Sequence, residues 1–365
     1  MKADTIDQAE DVLRVPASHY TDPARFALEL ERVWKRTPLV LALSCELDGA
    51  GAYKALEAAG VPVLITRGSG GEVRAFVNSC AHRGAQVVLD DSGRARRFVC
   101  PYHAWTYDEN GALVGILSEK EFGPVDRSCH GLVRLPCAER AGLVFVVLDP
   151  KAGLDLDAFL CGYGELLAEF GFERWHLVAR RSVAGPNWKI AYDGYLDFYH
   201  LPILHKNTIG ASLPNRALYD AYGPHQRVSF PNPAYAVLDE KPEAELRSEE
   251  LLGGVWTIFP HVSIATFDAG GRAVLVSQLF PGATPLESTT VQSYLMANEP
   301  SEAERAAAEK LFELLGYVVR EEDYATGLRQ QRALLAGARS HVLFGRNEGG
   351  GQHFHRTLAK LLEAP

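Results

Sequence analysis

Residues 80–84 read CAHRG, and residues 100–107 read CPYHAWTY. Each stretch follows a short run of β-branched and aromatic residues, which predicts that both form loops at the ends of strands. Together they supply four side chains of metal-binding type: Cys80, His82, Cys100 and His103. Hairpin loops of this kind can converge, so the pattern predicts one metal centre with two thiolates and two imidazoles.

Two kinds of metal centre use this set of donors. One is a tetrahedral structural zinc site. The other is a Rieske [2Fe–2S] cluster, in which two thiolates hold one iron and two imidazoles hold the other. Zinc sites usually take both cysteines from one knuckle, whereas here each loop gives one cysteine and one histidine. The mixed pairing favours the cluster and leaves structural zinc as the alternative.

A second group of metal-binding side chains lies in residues 187–205, which read NWKIAYDGYLDFYHLPILH. We predict a helix over 187–201. On a helix Asp193, Asp197 and His200 share one face, because they are four and three residues apart.

His205 follows His200 by five residues, which is the wrong spacing for the same face of a continuous helix. Pro202 disfavours helix at the residue before it and is expected to bend the chain, so that His205 turns back toward His200. Two imidazoles and one carboxylate form the facial triad of Fe(II) oxygenases. The segment therefore predicts most of a mononuclear iron site.

Both groups of residues closely resemble the motifs of ring-hydroxylating oxygenase α subunits, which carry a Rieske cluster and a mononuclear iron. The resemblance implies that His200 and His205 bind iron. It also implies that Asp197 is a bridging acid, which accepts a hydrogen bond from His200 and another from the His103 position of a neighbouring subunit. The family usually has glycine where Ala104 stands and often asparagine where Asp193 stands.

The third iron ligand has to come from elsewhere in the chain. Residues 321–323 read EED and precede Gln330-Gln331, a pattern that resembles the C-terminal helix carrying the carboxylate ligand of the family. We select Asp323 as that ligand, with Glu322 as the nearest alternative.

Composition limits the remaining possibilities. The 365 residues are 47% hydrophobic and include 46 acidic against 37 basic side chains, a formal net charge of -9. This balance argues against a nucleic-acid or anionic-membrane partner. No apolar run is long enough to cross a bilayer, and the N-terminus lacks the apolar core of a secretory signal, so we expect a cytoplasmic protein.

The expected fold class is α+β, in three parts. Residues 1–37 form an N-terminal helical segment that packs on the catalytic domain, with its helix at 22–36. Residues 38–150, with short strands such as Leu39–Leu43, form a small antiparallel β domain for the cluster. Residues 151–365 form a catalytic domain, which the resemblance makes a helix-grip fold of antiparallel sheet and long helices. Within this part we predict helices over 159–170, over 301–315 with Ser301 and Glu304 as a capping box, and from 318 to about 335.

The resemblance implies an oxygenase that uses O2 to hydroxylate, once or twice, or to demethylate oxidatively a small aromatic or hydrophobic substrate, as in aromatic compound catabolism. Apolar residues near the ligands, among them Ile203, Ile264 and Phe267, are candidates to line its pocket. The chain has no Gly-x-Gly-x-x-Gly fingerprint, so a separate NAD(P)H-dependent reductase has to supply electrons, with or without a ferredoxin. The resemblance also implies a homotrimer, whereas the need for a β subunit stays open. The alternative is a non-catalytic protein with structural zinc.

Overall fold

The computed structural model describes residues 7–211, 213, 215–229, 240–245, 253–268 and 271–363. The chain forms two compact units. One comprises the chain up to Val33 together with the chain from Asp157 onward, and the other comprises Trp34–Leu156. Both units contain antiparallel sheet, and helices are concentrated in the first, so the predicted α+β class is confirmed.

Every strand pairing in the described residues is antiparallel. In chain order the strands are β1 (Leu13–Pro16), β2 (Leu39–Leu43), β3 (Ala52–Ala58), β4 (Val61–Arg67), β5 (Val73–Val77), β6 (Ser92–Arg94), β7 (Arg97–Val99), β8 (Thr106–Asp108), β9 (Leu113–Gly115), β10 (Arg134–Leu135), β11 (Cys137–Arg140), β12 (Leu143–Val146), β13 (His176–Gly185), β14 (Leu218–Tyr222), β15 (His225–Ser229), β16 (Val255–Ile258), β17 (Val262–Asp268), β18 (Arg272–Pro281), β19 (Ser288–Met296) and β20 (His341–Phe344).

The helices in the described residues range from single turns to sixteen residues. They are α1 (Ser18–Thr21), α2 (Pro23–Glu29), α3 (Glu119–Phe122), α4 (Leu156–Leu160), α5 (Tyr163–Ala168), α6 (Trp188–Asp193), α7 (Leu201–Leu204), α8 (Glu302–Tyr317), α9 (Ala325–Leu335) and α10 (Gly349–Glu363). Two stretches, Leu30–Trp34 and Val318–Tyr324, are π-helical. Within these residues, none of the helices has both the length and the apolar character that crossing a membrane requires.

The unit Trp34–Leu156 is built from three small sheets, as the short strands predicted. Their orders are β10-β5-β4-β3-β6, β11-β12-β2 and β7-β8-β9. Strand β2 has the bounds that its apolar run predicted. Cys80 and Cys100 lie in the hydrophobic core of this unit, together with Phe98, Trp105 and Tyr107. The fold therefore buries both predicted thiolates.

The other unit is organised by a seven-stranded sheet with the order β13-β19-β18-β17-β16-β15-β14. Helix α8 packs on one face of this sheet, where Phe312 and Leu315 contact Leu275 and Tyr294. The predicted capping box starts this helix: Glu304 accepts a hydrogen bond from the Ser301 N–H at 2.8 Å, and Ser301 accepts one from the Glu304 N–H. A helix on an antiparallel sheet is the arrangement expected of the catalytic part.

Two predicted helices are shorter than expected. Over 22–36 the α-helix ends at Glu29 and the chain continues as a π-helical turn. Over 159–170 the helix is divided into α4 and α5. Gly162 separates these two helices with a φ of +83°, a left-handed conformation that ends a helical turn.

Candidate metal centres

The two cysteine–histidine loops have the same backbone hydrogen bonds. In the first loop the Cys80 carbonyl accepts from the Gly84 N–H, and the Cys80 N–H donates to the Ala85 carbonyl, both at 2.8 Å. The residues twenty positions later repeat these bonds at 3.0 and 2.8 Å. Two equivalent turns present their side chains equivalently, which suits a centre that takes one cysteine and one histidine from each loop.

Each turn requires a residue in the left-handed region at its fifth position. Gly84 has a φ of +78° and Ala104 a φ of +56°. Glycine adopts this conformation freely, whereas an alanine methyl group crowds the following carbonyl. The second loop therefore holds strain at Ala104 that the first loop avoids.

The histidines of the two loops lie side by side and are both half-buried. The ring centroids of His82 and His103 are 4.7 Å apart. His82 also stacks on Trp105, with centroids 5.1 Å apart and an angle of 11° between the rings. The thiols are by contrast almost fully buried, with Cys80 4% and Cys100 2% exposed. Buried sulfurs and outer imidazoles fit a cluster with one thiolate-held and one imidazole-held iron.

Tyr107 adds a hydrogen bond to the sulfur side of this centre. Its hydroxyl lies 3.2 Å from Cys80 Sγ and accepts a hydrogen bond from the Ala81 N–H at 3.0 Å. Because the oxygen already accepts, its own proton is free to point at the sulfur. Burial raises the pKa of Tyr107, so the hydroxyl keeps that proton at neutral pH.

In the other unit, His200, His205 and Asp323 converge. One potential ligand atom from each lies within 4.8 Å of the others. Asp323 Oδ1 is 3.2 Å from His205 Nε2 and 3.7 Å from His200 Nε2. Both Nε2 atoms and the carboxylate therefore face one point, which is the geometry of a facial triad with open positions.

The other nitrogen of each imidazole is held by an acid. His200 Nδ1 lies 3.0 Å from Asp197 Oδ1, and His205 Nδ1 lies 2.7 Å from Glu322 Oε2. A carboxylate partner keeps the proton on Nδ1 and leaves Nε2 free to bind a metal. The hydroxyl of Thr208 donates to the same Glu322 oxygen at 2.8 Å and fixes this acid in turn.

The acids also control the charge of the two imidazoles. Burial alone would lower the pKa of His200, but the hydrogen bond and charge of Asp197 outweigh it and raise the pKa. For His205, burial is likewise outweighed by Asp323 and Glu322, and the pKa is raised. The pocket thus favours positive charge among its three acids, as a site for a cation should.

The prediction of one helix over 187–201 was wrong. Helix α6 ends at Asp193, where Gly194 follows, and α7 begins only at Leu201. Asp197 instead accepts a hydrogen bond from the backbone N–H of His200 at 3.2 Å, a short-range turn that competes with helix. Pro202 lies in the first turn of α7, where its missing N–H costs nothing. Non-helical chain, not a shared helix face, brings Asp197 to His200.

Asp323 lies in the π-helical stretch Val318–Tyr324. A π-helical turn contains more residues than an α-helical turn, so consecutive side chains diverge less. Glu322 and Asp323 can therefore both reach His205, one at each ring nitrogen. The sequence showed both acids, but only the geometry separates their positions.

Asp193 turns away from the triad and pairs with two residues that are distant in sequence. Its carboxylate accepts from the Tyr20 hydroxyl at 2.9 Å and lies 2.9 Å from His355 Nε2. His355 is therefore a structural partner of Asp193. Nothing in the local sequence indicated these long-range contacts.

The three residues named as candidates for the apolar lining lie in different surroundings. Ile203 is 75% exposed. Ile264 and Ser263 are neighbours on β17, so their side chains lie on opposite faces of the sheet. Phe267 packs into the cluster beneath α8. One face of the seven-stranded sheet carries the polar residues Ser263, Ser277 and Gln292. The sequence analysis did not identify them, because they become neighbours only through the pairing of different strands.

Comparison with known families agrees with this pair of centres. The family described as "Rieske [2Fe-2S] domain" matches residues 37–129. The family described as "Ring hydroxylating alpha subunit (catalytic domain)" matches residues 172–364, which is more than half of the chain. The chain therefore belongs to the ring-hydroxylating oxygenase α subunits. It is a Rieske non-heme iron oxygenase, with a [2Fe–2S] domain and a catalytic iron domain.

Individual relatives include monooxygenases. The chain is 28% identical to the carnitine monooxygenase oxygenase subunit of Escherichia coli K12, over 97% of this chain and 95% of that one. It is 29% identical to the glycine betaine monooxygenase oxygenase subunit of Chromohalobacter salexigens, over 57% of this chain and 47% of that protein. The fold is similar to that of the quaternary ammonium Rieske monooxygenase CntA crystallised with L-carnitine. The TM-score is 0.81 at 24% identity, over 97% of each chain.

Proposed function

We propose that Cys80, His82, Cys100 and His103 hold the Rieske cluster, and that His200, His205 and Asp323 hold Fe(II). The observation that carries the proposal is the convergence of both Nε2 atoms and one carboxylate, with an acid on each Nδ1. The donor sets fit the two groups: thiolates and imidazoles for the cluster, and two imidazoles with a carboxylate for non-heme iron. A structural zinc at the first centre has no support from the family matches.

Together the two bound groups supply electrons one at a time and a place for O2 and substrate to react. The role of the protein is to orient these groups. Asp197 and Glu322 hold the two imidazoles in one tautomer, and Thr208 holds Glu322. The buried Tyr107 hydroxyl stabilises negative charge on the cluster sulfur.

We further propose that electrons cross between subunits of a homotrimer. In this arrangement Asp197 connects His200 to the partner subunit's His103. The partial exposure of both His82 and His103 supports this, since an imidazole that donates an electron across an interface has to be accessible from the surface. Inter-subunit electron transfer is also named for a structural relative at 23% identity. A separate NAD(P)H-dependent reductase, with or without a ferredoxin, is the proposed electron source.

The proposed substrate is a small aromatic or hydrophobic molecule, which is hydroxylated or oxidatively demethylated in the cytoplasm. We favour insertion of one oxygen atom over insertion of two, because a relative that aligns over nearly the whole chain is named a monooxygenase.

Metal analysis of protein purified without oxygen tests the two centres. We expect three iron and two acid-labile sulfide per chain, with a visible band that bleaches on dithionite. Two iron and two sulfide would contradict the mononuclear site and leave the cluster. Zinc without sulfide would overturn both centres. Oxygen uptake with a reductase and a substrate panel then tests the activity.

A further inference from the structure

Helix α10 begins with three consecutive glycines, and each lies against a different neighbour. A Cβ on Gly349 would lie 3.1 Å from the ring of Tyr219. A Cβ on Gly351 would lie 2.5 Å from the ring of Phe344. These two neighbours are side chains. At Gly350 the nearest atom is instead a backbone carbonyl oxygen, which cannot turn aside as a side chain can.

The glycines weaken the helix that they begin. Glycine destabilises a helix by roughly 0.5–1 kcal/mol relative to alanine. None of Gly349, Gly350 and Gly351 has a left-handed φ, so the backbone conformation does not require glycine at these positions. The close approach of neighbouring groups is what requires it.

The backbone oxygen beside Gly350 belongs to Leu196, whose peptide group continues into Asp197. A Cβ on Gly350 would overlap this oxygen, well inside the 3.0 Å that real Cβ atoms keep from other atoms. An alanine therefore has to move the two backbones apart. Asp197 Oδ1 lies 3.0 Å from His200 Nδ1. Such hydrogen bonds span about 2.7–3.2 Å, so a displacement of about half an ångström is enough to break this one.

The carboxylate of Asp197 also lies near the start of α10. Its charge adds to burial in raising the pKa of Glu348, the residue before the helix, and the pKa of Tyr219. The positive end of a helix dipole favours an acid near the first turn. The start of α10 thus meets Asp197 both through its backbone and through its charge.

Helix α10 is held in place and cannot easily retreat from this contact. The side-chain amide of Gln352 donates to the Gly345 carbonyl at 2.9 Å. The amide of Gln226, on β15, donates to the Gly350 carbonyl at 3.0 Å. Residues 196–197 lie instead in the non-helical chain between α6 and α7, so this chain is the part that yields.

We propose that Gly350 is a positioning residue for Asp197. Because Gly350 has no side chain, α10 lies directly against the peptide of residues 196–197 and holds the Asp197 carboxylate at Nδ1 of His200. This inference rests on the proposed function, because the Asp197–His200 pair belongs to that same site. A larger residue at position 350 displaces the carboxylate and frees the imidazole to rotate, although it touches no iron ligand.

Iron affinity reports the position of Asp197 separately from turnover. Fe(II) is competed from the protein with graded chelator in the absence of oxygen, and the third iron per chain is followed. Loss of an orienting carboxylate lowers metal affinity about 10- to 100-fold. We expect Gly350→Ala to lower the iron affinity about 10-fold and Asp197→Ala to lower it at least as much. The double variant should bind iron like Asp197→Ala alone, because Gly350 acts through that carboxylate.

A longer acid separates positioning from general damage to the fold. Asp197→Glu adds one carbon–carbon bond, about 1.5 Å of reach. In the wild-type background the peptide is held, so we expect glutamate to fit His200 less well and to lower the iron affinity. In the Gly350→Ala background the peptide is displaced, so the same change should restore part of the lost affinity. A substitution that only destabilises the fold would not be rescued in this way.

Gly351→Ala is the matched control. It makes the same substitution in the same helical turn, but its Cβ meets the Phe344 ring and not the Leu196 carbonyl. We expect Gly351→Ala to lower the urea midpoint of the catalytic unit and to bind iron like the wild type.

The inference is overturned if Gly350→Ala binds iron like the wild type, or if its loss multiplies with that of Asp197→Ala. If Gly350→Ala does not fold, Asp197→Glu alone decides, since wild-type iron affinity in that variant would show that the peptide is not held. These results would leave the iron content and oxygen uptake of the wild type unchanged. Conversely, the expected order of iron affinities without any oxygen uptake would support the role of Gly350 and contradict the proposed oxygenation.

Discussion

Nδ1 of His205 lies 2.7 Å from Oε2 of Glu322, on the edge of the ring opposite the nitrogen that faces Asp323. Two consecutive acids thus bracket one imidazole. Only the acid on the Nε2 side can share a metal with His200 and His205, so the geometry favours Asp323 as the ligand and gives Glu322 an orienting role.

This arrangement predicts different losses of iron for three neighbouring variants. Asp323→Ala should reduce bound iron from three to two per chain, since a ligand is gone. Glu322→Gln should retain the iron but lower its affinity about 10- to 100-fold, the usual effect of removing an orienting carboxylate. The exposed Glu321 provides the control Glu321→Gln, which should match the wild type. Iron content after graded chelation measures all three, and a larger loss in Glu322→Gln than in Asp323→Ala would exchange the two roles.

Asp197→Ala should retain both metals when iron is in excess, with an iron affinity lowered as in Glu322→Gln because an orienting carboxylate is lost. It should lose turnover at least about 100-fold with both centres filled, provided that Asp197 carries electrons between subunits. Its contacts are with His200, at Nδ1 and at the backbone N–H, and neither contact is a metal bond. Iron, sulfide and the reduced spectrum report the centres, and product formation reports the electron path. Asp220→Ala, at an exposed position on β14, is the control. Wild-type turnover in Asp197→Ala would refute the bridge.

Ala104→Gly should stabilise the unit Trp34–Leu156. The φ of +56° at Ala104 destabilises the folded state by about 1–2 kcal/mol for an alanine. Glycine avoids this strain but loses more conformational entropy on folding, which offsets part of the gain. We expect a net gain of about 1 kcal/mol, measured as a higher urea midpoint for loss of the cluster band. The reciprocal Gly84→Ala should lower the midpoint, because φ is +78° at this position. A Cβ would meet only Ser79 Oγ, at an ordinary contact distance of 3.7 Å, so the loss would measure backbone strain and not a steric clash. Equal midpoints would show that the turn is not strained.

Tyr107→Phe should lower the reduction potential of the cluster. A hydroxyl that donates to a cluster sulfur stabilises the more negative, reduced form, so its removal makes reduction harder. Spectroelectrochemical titration should show a shift of tens of millivolts to lower potential. Tyr53→Phe in the same core is the control, since Tyr53 packs against Phe98. A potential that rises or stays fixed in Tyr107→Phe would mean that the hydroxyl does not donate to Cys80.

The stability of the catalytic unit should fall in acid partly because of His225. Burial, together with the nearby charge of His353, lowers the pKa of His225 from 6.5 to about 4. Its Nε2 pairs with the Phe159 carbonyl at 2.9 Å, and its Nδ1 accepts from the Phe259 N–H at 3.2 Å, so the neutral ring is fully used.

Because the folded pKa is below the unfolded one, the contribution of His225 is complete above pH 6.5. It is lost as the pH falls from 6.5 to about 4. The loss is roughly 3 kcal/mol, from 1.36 kcal/mol per pKa unit. His225→Gln, which can donate and accept but does not titrate, should flatten the dependence of unfolding free energy on pH in this window. Denaturant unfolding at several pH values checks this, and parallel curves for the two proteins would contradict it.

Local patterns predicted what depends on near neighbours in the chain. The two loops were found from the spacing of Cys80 with His82 and of Cys100 with His103, and the capping box at Ser301 from its own four residues. The prediction of a helix over 187–201 was wrong, because spacing showed only that a helix would give a common face. The backbone was determined by Gly194 and by the turn at Asp197. The ligand roles given to these residues stay predictions until the metals are measured.

The spacing of cysteines and histidines limited the first centre to a cluster or a zinc ion, because donor types restrict which metals bind. The class of the protein followed from the resemblance of both motifs to ring-hydroxylating oxygenase α subunits. Tertiary structure alone decided how residues distant in the chain meet. It placed Asp323 beside His205, put Glu322 on the other edge of that ring, and aligned Ser263, Ser277 and Gln292 on one sheet face. The physical reason is that strand register and a π-helical turn set these positions, and both depend on packing across the whole unit.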